Sequence, residues 1–568
     1  MELYEPARFV ILTSAEGLKS GKNELLIATG ATRFSVCDIS FIEIATFIQR
    51  TFSLADQEAS VIAFRLYNLF KRFDLNAHPS FFAGVGGETL TALLRANRRS
   101  ELIQLAVGGF LSFVVAYDTD DVVLTRTTRE HFLRRLAYEK FINVRLFNQQ
   151  ELVAFVKEVA AERDFDIDAI KFIQTFQDKG LITFRDGKAN ITLPFMESYL
   201  LANELIDRPA EARKYFDPKN EEFDFNAFDL YAEIGPDQSV VDNIITASER
   251  LAAEMKILDG ESHILLTNEL RPPLVDKQAR VQALQNRLEK AFEDVSNNRS
   301  QGDEKQALLD LASRFEEEAR ADSDMVVIFG DEDPVHPELE GCSDAIHVWA
   351  IGAILLGSGS ERLTRDPKRR LAKSLVQLTS ILLHRILKSF PKVSFEKFKA
   401  RFSNDEELKK IFGTADSKLT GDFREYVDVL LDAYEFSLLS SPVRMMFDNL
   451  SNSAGQPVLR TSVSNIEIEG QVENLIARVW SAEMDASKER SSLLEAISKL
   501  PPFPFLRITL SSYFIVRVFW SHWDRRNRFA LLDAAEETLR PLSQGIDKGR
   551  LKRMIAKEVD ESGSASID

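Results

Sequence analysis

The spacing of apolar positions changes along this chain, and the change predicts its architecture. Residues 8–14 form a continuous apolar run with β-branched residues, which predicts a buried strand, and residues 33–37 predict a second, shorter one. From residue 57 onward, apolar positions recur every three or four residues through most of the chain, which predicts helices. We therefore expect a mainly α protein with a small α/β edge.

A helix is predicted directly after the second strand, and the helical pattern then continues to about residue 145. Asp38 or Ser40 is the expected N-cap of this helix, whose apolar face begins at Phe41. The segment 77–87 interrupts the helical pattern, because Pro79 disfavours a helix at the residue before it.

Residues 147–193 carry the most specific local pattern of the chain. Two amphipathic helices are predicted first, the second with Asp166 as its N-cap. Two alternating strands follow, joined by Asp186-Gly187, the preferred dipeptide for a two-residue hairpin turn. This order of elements predicts a winged helix, and Pro194 is expected in the first turn of the next helix.

The last part of the chain is predicted to be a helical domain, either a bundle or a solenoid-like array. Helical spacing runs from about residue 240 to 555, with loops expected at 296–304 and 451–465. Repeats of fixed period are not evident, so both arrangements stay open.

Composition excludes several classes of protein. A formal net charge of −17 gives no general attraction for phosphate backbones or anionic lipids. Cys37 and Cys342 show no paired spacing, which argues against a disulfide scaffold or a cysteine zinc site. The most apolar helical run, 344–357, is shorter than the roughly 20 residues of a spanning helix. We expect a soluble, cytoplasmic protein.

Two segments imitate nucleotide or metal sites. The loop Gly17–Asn23 has one residue too few between its glycines for a phosphate loop, and Asn23 stands where a hydroxyl is needed. The acidic end of the apolar run 325–336 resembles a magnesium-binding strand, and Asp331 with His336 would be the ligands of a metal-dependent enzyme.

Other chemistry is weakly indicated. Sequence motifs of serine hydrolases and zinc proteases are lacking, and His347 and His384 are predicted to be hydrogen-bonded core histidines on apolar helix faces. The predicted winged helix has lysines and arginines interleaved with aspartates, so a positive face for DNA is not expected. These basic residues are Lys171, Lys179, Arg185 and Lys188.

The order of elements resembles the C-terminal part of a STAND ATPase, the NACHT-like group of signal-transduction ATPases. RFVILTS resembles the sensor-1 strand, RFSVCDISFIEIATFIQRTF the next strand and closing helix, and LNAHPSFF the loop whose proline packs near adenine. ITLPFMESYLLANEL resembles the family's ending, with Tyr199 and Ala202 at the aromatic and alanine positions. The resemblance covers about residues 1–235 and implies nucleotide contacts by Thr13, Ser14 and Pro79.

The resemblance also implies a domain order. It comprises a partial nucleotide-binding α/β domain at 1–56, a helical lid at 57–146, a winged helix at 147–235 and a helical sensor arm at 236–560.

The departures from the family bear on function. Ala15 stands where an arginine is usual and Leu193 where a histidine reaches the phosphate, and the phosphate loop and magnesium strand are lacking. We therefore expect no catalysis and no cofactor in this chain alone, with ATP or ADP and Mg²⁺ bound only if a missing N-terminal half completes the site. That half would be an ATPase or effector portion, or the product of a neighbouring gene.

The expected function is the non-catalytic switch and sensor portion of a STAND-type signalling or bacterial antiphage-defence protein. Its helical arm would sense a protein ligand, and activation would drive homo-oligomerisation. The alternative from another class is a winged-helix transcriptional regulator with a helical effector domain. Membrane partners are not expected.

Overall fold

The chain is mainly helical. The computed structural model describes residues 40–54, scattered positions between 59 and 107, and the ranges 126–178, 181–192, 194–220, 222–257, 260–270, 339–389, 421–520 and 525–542. Two compact units are present, residues 1–119 and 120–568. Within the described ranges, the only sheet is a two-stranded one, so the predicted mainly α class is confirmed.

In the first unit, helix α1 (Phe41–Phe52) has a reciprocal capping box at its start. The backbone N–H of Ser40 donates to Oε2 of Glu43 at 2.8 Å, and the backbone N–H of Glu43 donates to Oγ of Ser40 at 3.4 Å. Ser40 is therefore the N-cap, which is one of the two residues predicted from the sequence. Ile44 and Ile48, one turn apart, are fully buried.

The second unit contains the other described elements. Its first part comprises α2 (Arg126–Phe141), α3 (Gln149–Ala161), α4 (Ala169–Asp178), β1 (Ile182–Arg185), β2 (Lys188–Ile191) and α5 (Pro194–Ile206). Its middle part comprises α6 (Pro209–Tyr215), α7 (Phe225–Ile234), α8 (Gln238–Glu254), a 3-10 turn (Ile264–Leu266), α9 (Cys342–Ser358) and α10 (Arg365–Ser389). Its last part comprises α11 (Gly421–Ala454), a 3-10 turn (Pro457–Leu459), α12 (Arg460–Ser464), α13 (Gln471–Ser498), α14 (Pro504–Trp520), α15 (Arg525–Leu539) and a 3-10 turn (Arg540–Leu542).

The hairpin forms as its turn sequence predicts. Arg185 pairs with Lys188 across the turn, and Asp186 and Gly187 have positive φ angles of 50° and 74°. Positive φ at both central residues matches the twist of paired strands, and aspartate and glycine adopt it at low cost. The predicted N-cap of α4 was wrong: Asp168, and not Asp166, accepts the backbone N–H groups of residues 170 and 171.

A phenylalanine cluster fills the space between α2, α3 and α4. Phe132 lies 5.2–5.8 Å from the ring centroids of its neighbours on α3 and α4, which contribute Phe155, Phe172 and Phe176. Lys140 on α2 then ties the hairpin to α5, since its Nζ donates to Asn190 at 3.1 Å and to Glu197 at 2.7 Å. Glu197 also accepts the backbone N–H of Ile191. The hairpin is thus held on helices and not only by its own pairing.

A second aromatic cluster joins this part to the helices that follow. Phe216 is fully buried and lies within 5.2 Å of the ring centroids of Phe228 and Tyr231 on α7. α7 contacts both α5 and α9, so the cluster lies at the junction between the hairpin region and the helical part.

Helix α9 lies at the centre of the helical part and contacts α7, α8, α10 and α11. Gly357, near its C-terminal end, lets the helices approach closely: a Cβ there would lie 1.7 Å from the carbonyl oxygen of Ser453 on α11. The loop predicted at 451–465 was largely wrong. α11 continues to Ala454, and the 3-10 turn and α12 follow after a two-residue break. Pro457 occupies the first position of its turn, where a missing N–H costs little.

Among the described helices, none combines the length and the apolar content that a bilayer crossing requires.

Candidate functional site

Two helices of the C-terminal part line a half-open cavity of about 240 Å³. α11 contributes four lining residues spaced by three and four positions, and α14 contributes three with the same spacing. Because residues three and four apart share one face of a helix, each helix presents a continuous strip to the cavity. The lining residues are Ser441, Arg444, Met445, Asp448, Tyr513, Val516 and Arg517.

Arg517 organises the polar side of this cavity. Its Nη2 lies 2.9 Å from Oδ1 of Asp448 on α11, and its Nε lies 3.1 Å from Oε2 of Glu483 on α13. The same Nε also donates to the hydroxyl of Tyr513, one turn earlier on α14, at 3.3 Å. One guanidinium therefore connects three helices by charge-assisted contacts.

Burial and neighbouring charges have opposite effects on the pKa values of the arginine and the carboxylates in this cluster. Burial raises the pKa of Glu483, although the charge of Arg517 acts against it. Burial alone would lower the pKa of Arg517, but Glu483, Tyr513 and Asp448 outweigh it and raise that pKa. The pKa of Asp448 is also raised by burial, which Arg517 and Arg444 partly offset. The arginine therefore stays charged and holds the carboxylates in place.

The rim of the cavity combines exposed apolar groups with a second arginine. The exposed fractions of Met445 and Val516 are 58% and 42%, large values for apolar side chains. Arg444 donates from Nη2 to Oγ of Ser437 at 3.4 Å, and its charge also acts on Asp448. Sites for drug-sized ligands typically measure about 300–1,000 Å³, so this smaller cavity suits a single side chain or a small ligand. The rim offers apolar contact beside a positive charge.

The nucleotide-contacting residues expected from the family resemblance cannot be compared with this site. Thr13, Ser14 and Pro79 lie outside the described residues, as do Ala15 and Leu193. The two imitating segments, 17–23 and 325–336, with Asp331 and His336, also lie outside them. Tyr199 and Ala202 are described, and both are buried on α5.

The two histidines predicted to be hydrogen-bonded core residues differ. His384 is buried on α10 and accepts a hydrogen bond from the backbone N–H of Ile264 at 3.1 Å, as expected. His347 lies beside the rings of Phe223 and Phe225, at centroid distances of 5.7 and 5.4 Å. Its Nε2 is buried without a hydrogen-bond partner in the described structure, and the residue as a whole is half-buried, so the prediction of a hydrogen-bonded core histidine was wrong here.

The basic side chains of α4 and the hairpin do not form a cluster with a single sign of charge. Lys171 and Arg185 are exposed, and Lys188 is half-buried with its Nζ 3.9 Å from Oε2 of Glu151. Exposed aspartates at 164, 166, 168 and 186 lie on the same segment. The charge pattern is mixed, as the sequence indicated.

The described residues contain no group of three or more His, Cys, Asp or Glu side chains able to hold a metal ion.

Sequence reasoning missed the cavity and its ion cluster. One signal was present, since Arg517 interrupts the apolar run SYFIVRVFW and Glu483 interrupts VWSAEMDA. A single charge on an otherwise apolar helix face usually has a buried partner. Periodicity identifies such a position, but it does not tell which helix provides the partner.

Comparison of the chain with protein-family models, with curated proteins and with solved structures gives no match. The function is therefore argued from the chain's own residues.

Proposed function

We propose that this chain is the non-catalytic switch and sensor portion of a STAND-type signalling or antiphage-defence protein, and that its helical arm binds a protein ligand. The observation that carries the proposal is the α11–α14 cavity, which joins an anchored ion cluster to an exposed apolar rim. Concave apolar surfaces with a few convergent polar groups are typical of binding sites.

The helix–helix–hairpin segment, α3 to β2, is in this proposal a winged helix that serves as a structural adaptor. Its mixed charge favours a structural role over DNA binding, because contacts with phosphates need a surplus of lysine and arginine. The aromatic junction at Phe216 and Phe228 supports a mechanical connection between the winged helix and the arm. A ligand-induced change in the arm would then reach the hairpin region through packed side chains.

The chemistry of the cavity suggests the kind of ligand. Met445 and Val516 favour an apolar side chain, and Arg444 at the rim favours a neighbouring carboxylate. A protein segment with an apolar residue next to an aspartate or glutamate satisfies both requirements. In this proposal nucleotide, as ATP or ADP with Mg²⁺, is bound by groups outside the chain, and activation leads to homo-oligomerisation.

Peptide display against the full chain tests the binding site. We expect enriched peptides to pair an apolar residue with an acidic one, and Arg444→Glu to weaken their binding at least tenfold. Arg213→Glu, the same charge change at an exposed residue of α6, is the matched control and should have little effect. Enriched peptides that bind Arg444→Glu as well as the unchanged chain would contradict this site.

Calorimetry with ATP tests the non-catalytic part of the proposal. We expect no micromolar binding, because Gly17–Asn23 lacks the spacing and hydroxyl of a phosphate loop. Binding that disappears in Lys22→Ala would refute this expectation.

The alternative, a transcriptional regulator, rests on the winged-helix order of elements. It predicts duplex DNA binding with a steep salt dependence that Lys171→Glu weakens. A gel-shift experiment at physiological salt separates the two proposals, since the adaptor should give no shift.

A further inference from the structure

Two buried histidines hold a short segment of the second unit against α10. The segment, residues 260–267, contains the 3-10 turn in which Ile264 and Leu265 are buried. His263 precedes the turn, and His384 projects from α10, with ring centroids 5.1 Å apart. The turn also contacts α14, the helix that carries part of the cavity.

The hydrogen bonds require both rings to be neutral. The backbone N–H of Leu265 donates to Nδ1 of His263, and that of Ile264 donates to Nδ1 of His384, each at 3.1 Å. A ring nitrogen that accepts a hydrogen bond carries no proton, so each ring has its proton on Nε2. The Nε2–H of His263 then donates to the carbonyl of Ser380 at 2.9 Å.

The groups on both sides of the histidines are already satisfied. Nε2 of His384 lies 3.3 Å from the carboxylate of Glu261, which also pairs with Lys388 of α10. Hydrogen bonding from Lys388 lowers the pKa of Glu261, so its carboxylate stays ionised. The hydroxyl of Ser380 donates to Glu473 of α13 at 2.7 Å.

The remaining charged groups on the neighbouring helices point to other partners. On α10, Arg385 donates to the carbonyls of Met255 and Glu340. On α14, Arg507 donates to the carbonyls of residues 500, 501 and 538, while Arg517 binds Asp448 and Glu483. Of the charged groups nearby, the carboxylate of Glu261 contacts His384, and Lys388 pairs with that carboxylate.

We infer that His263 and His384 form a proton-sensitive latch that releases residues 260–267 from α10 when either ring is protonated. Protonation places an N–H at Nδ1, directly opposite a backbone N–H that needs an acceptor. The donor–donor contact removes one hydrogen bond and leaves a buried charge, both of which disfavour the closed arrangement. Opening uncovers Ile264 and Leu265 and loosens the packing on α14.

The direction of the effect follows from the protonation equilibrium. Burial lowers the pKa of His263 from 6.5 to about 4 in the closed state, while the open segment keeps the ordinary value. The latch is therefore fully stabilising above pH 6.5 and loses that stability as the pH falls toward the lower value. These two values give an increase of about 30-fold in the opening equilibrium between pH 7.5 and pH 5.

Hydrogen exchange with mass spectrometry on the full chain tests the latch. We expect the amides of 264–267, after correction for the intrinsic pH dependence of exchange, to open about 30-fold more at pH 5 than at pH 7.5. Peptides from the buried part of α13, 475–482, should change little over the same range. Equal opening at both pH values, or equal changes in both segments, would refute the latch.

Variants identify the groups responsible. In the double variant His263→Asn/His384→Asn, each Oδ1 keeps an acceptor near the position of Nδ1 but cannot be protonated in this range. We expect its pH response to fall below about threefold. His131→Gln, at a half-buried histidine on α2, is the control and should keep the full response. If the double variant does not fold, His263→Asn alone should reduce the response, because the change of about 30-fold follows from the titration of His263. An undiminished response in whichever of these two folds would also refute the latch.

Discussion

Replacing Arg517 by methionine is the sharpest test of the ion cluster at the cavity. The substitution keeps a long side chain but removes the guanidinium that pairs with Glu483 and Asp448. Removing one partner of a buried ion pair typically costs about 3–5 kcal/mol, because the other charge stays buried without compensation. The side chains of Arg517 and Glu483 keep exposed fractions of 23% and 13%, so solvent screens part of this cost. We expect about 3 kcal/mol.

The readout must be local, because a chain of this length does not unfold in one step. Hydrogen exchange gives the opening free energy of α13 and α14 peptides directly. The deficit of Arg517→Met should shrink as the pH falls from 7.5 to 5. Burial already raises the pKa of Glu483, and without the arginine the hydrogen bonds from Tyr513 and Ser451 are left to oppose that rise. A raised folded-state pKa stabilises the fold at low pH and loses this effect as the pH rises.

Two further variants test whether the loss in Arg517→Met comes from a buried ion pair. Arg370→Met removes an exposed pair in which Arg370 contacts Glu249 at 2.9 and 2.7 Å, and it should cost at most about 1 kcal/mol. Glu483→Met combined with Arg517→Met removes both buried charges and should recover most of the stability. If Arg517→Met costs no more than Arg370→Met, or if the double variant is less stable than either single one, the cluster is not the buried pair we describe.

Two other substitutions follow from close contacts. Gly357→Ala places a Cβ 1.7 Å from the carbonyl oxygen of Ser453, so α9 and α11 must separate. We expect a loss of about 3 kcal/mol in local stability, measured as faster amide exchange in α9 peptides. Gly352→Ala is the milder control, because the nearest neighbours of its Cβ are flexible leucine side chains at 3.1 and 3.3 Å. Ser40→Ala removes the capping box of α1 and should cost about 1 kcal/mol, detected as faster amide exchange in its first turn. Unchanged exchange there would contradict the role of the cap.

Local features of the fold were readable from the sequence, because short-range chemistry determines them. Asp186-Gly187 specified the hairpin turn, since few other dipeptides adopt two positive φ angles at low cost. The start of α1 was predicted at Asp38 or Ser40, and a reciprocal pair of hydrogen bonds between Ser40 and Glu43 places it at Ser40. In both cases the interacting groups lie within four residues of each other.

Features that depend on contacts between distant segments could not be predicted from the sequence in this way. The segment from 211 to 229 is rich in acidic and basic residues, yet Phe216 and Phe228 make it a buried junction. Composition averages over both faces of a helix and so hides a buried aromatic strip among exposed charges. The cavity was missed for a related reason, because periodicity defines the faces of α11 and α14 but not that these faces meet.

Charged or polar residues on otherwise apolar helix faces are the best guide to contacts between distant segments. Arg507 is fully buried in α14, and its guanidinium satisfies carbonyls at 500, 501 and 538. His384, on an apolar face of α10, accepts from Ile264, which lies 120 positions earlier. Each of these side chains would be costly to bury alone, so its presence on an apolar face implies a partner from another segment. At such positions the local apolar pattern disagrees with the residue that the tertiary structure requires. Both the α11–α14 cavity and the histidine latch are built from residues of this kind.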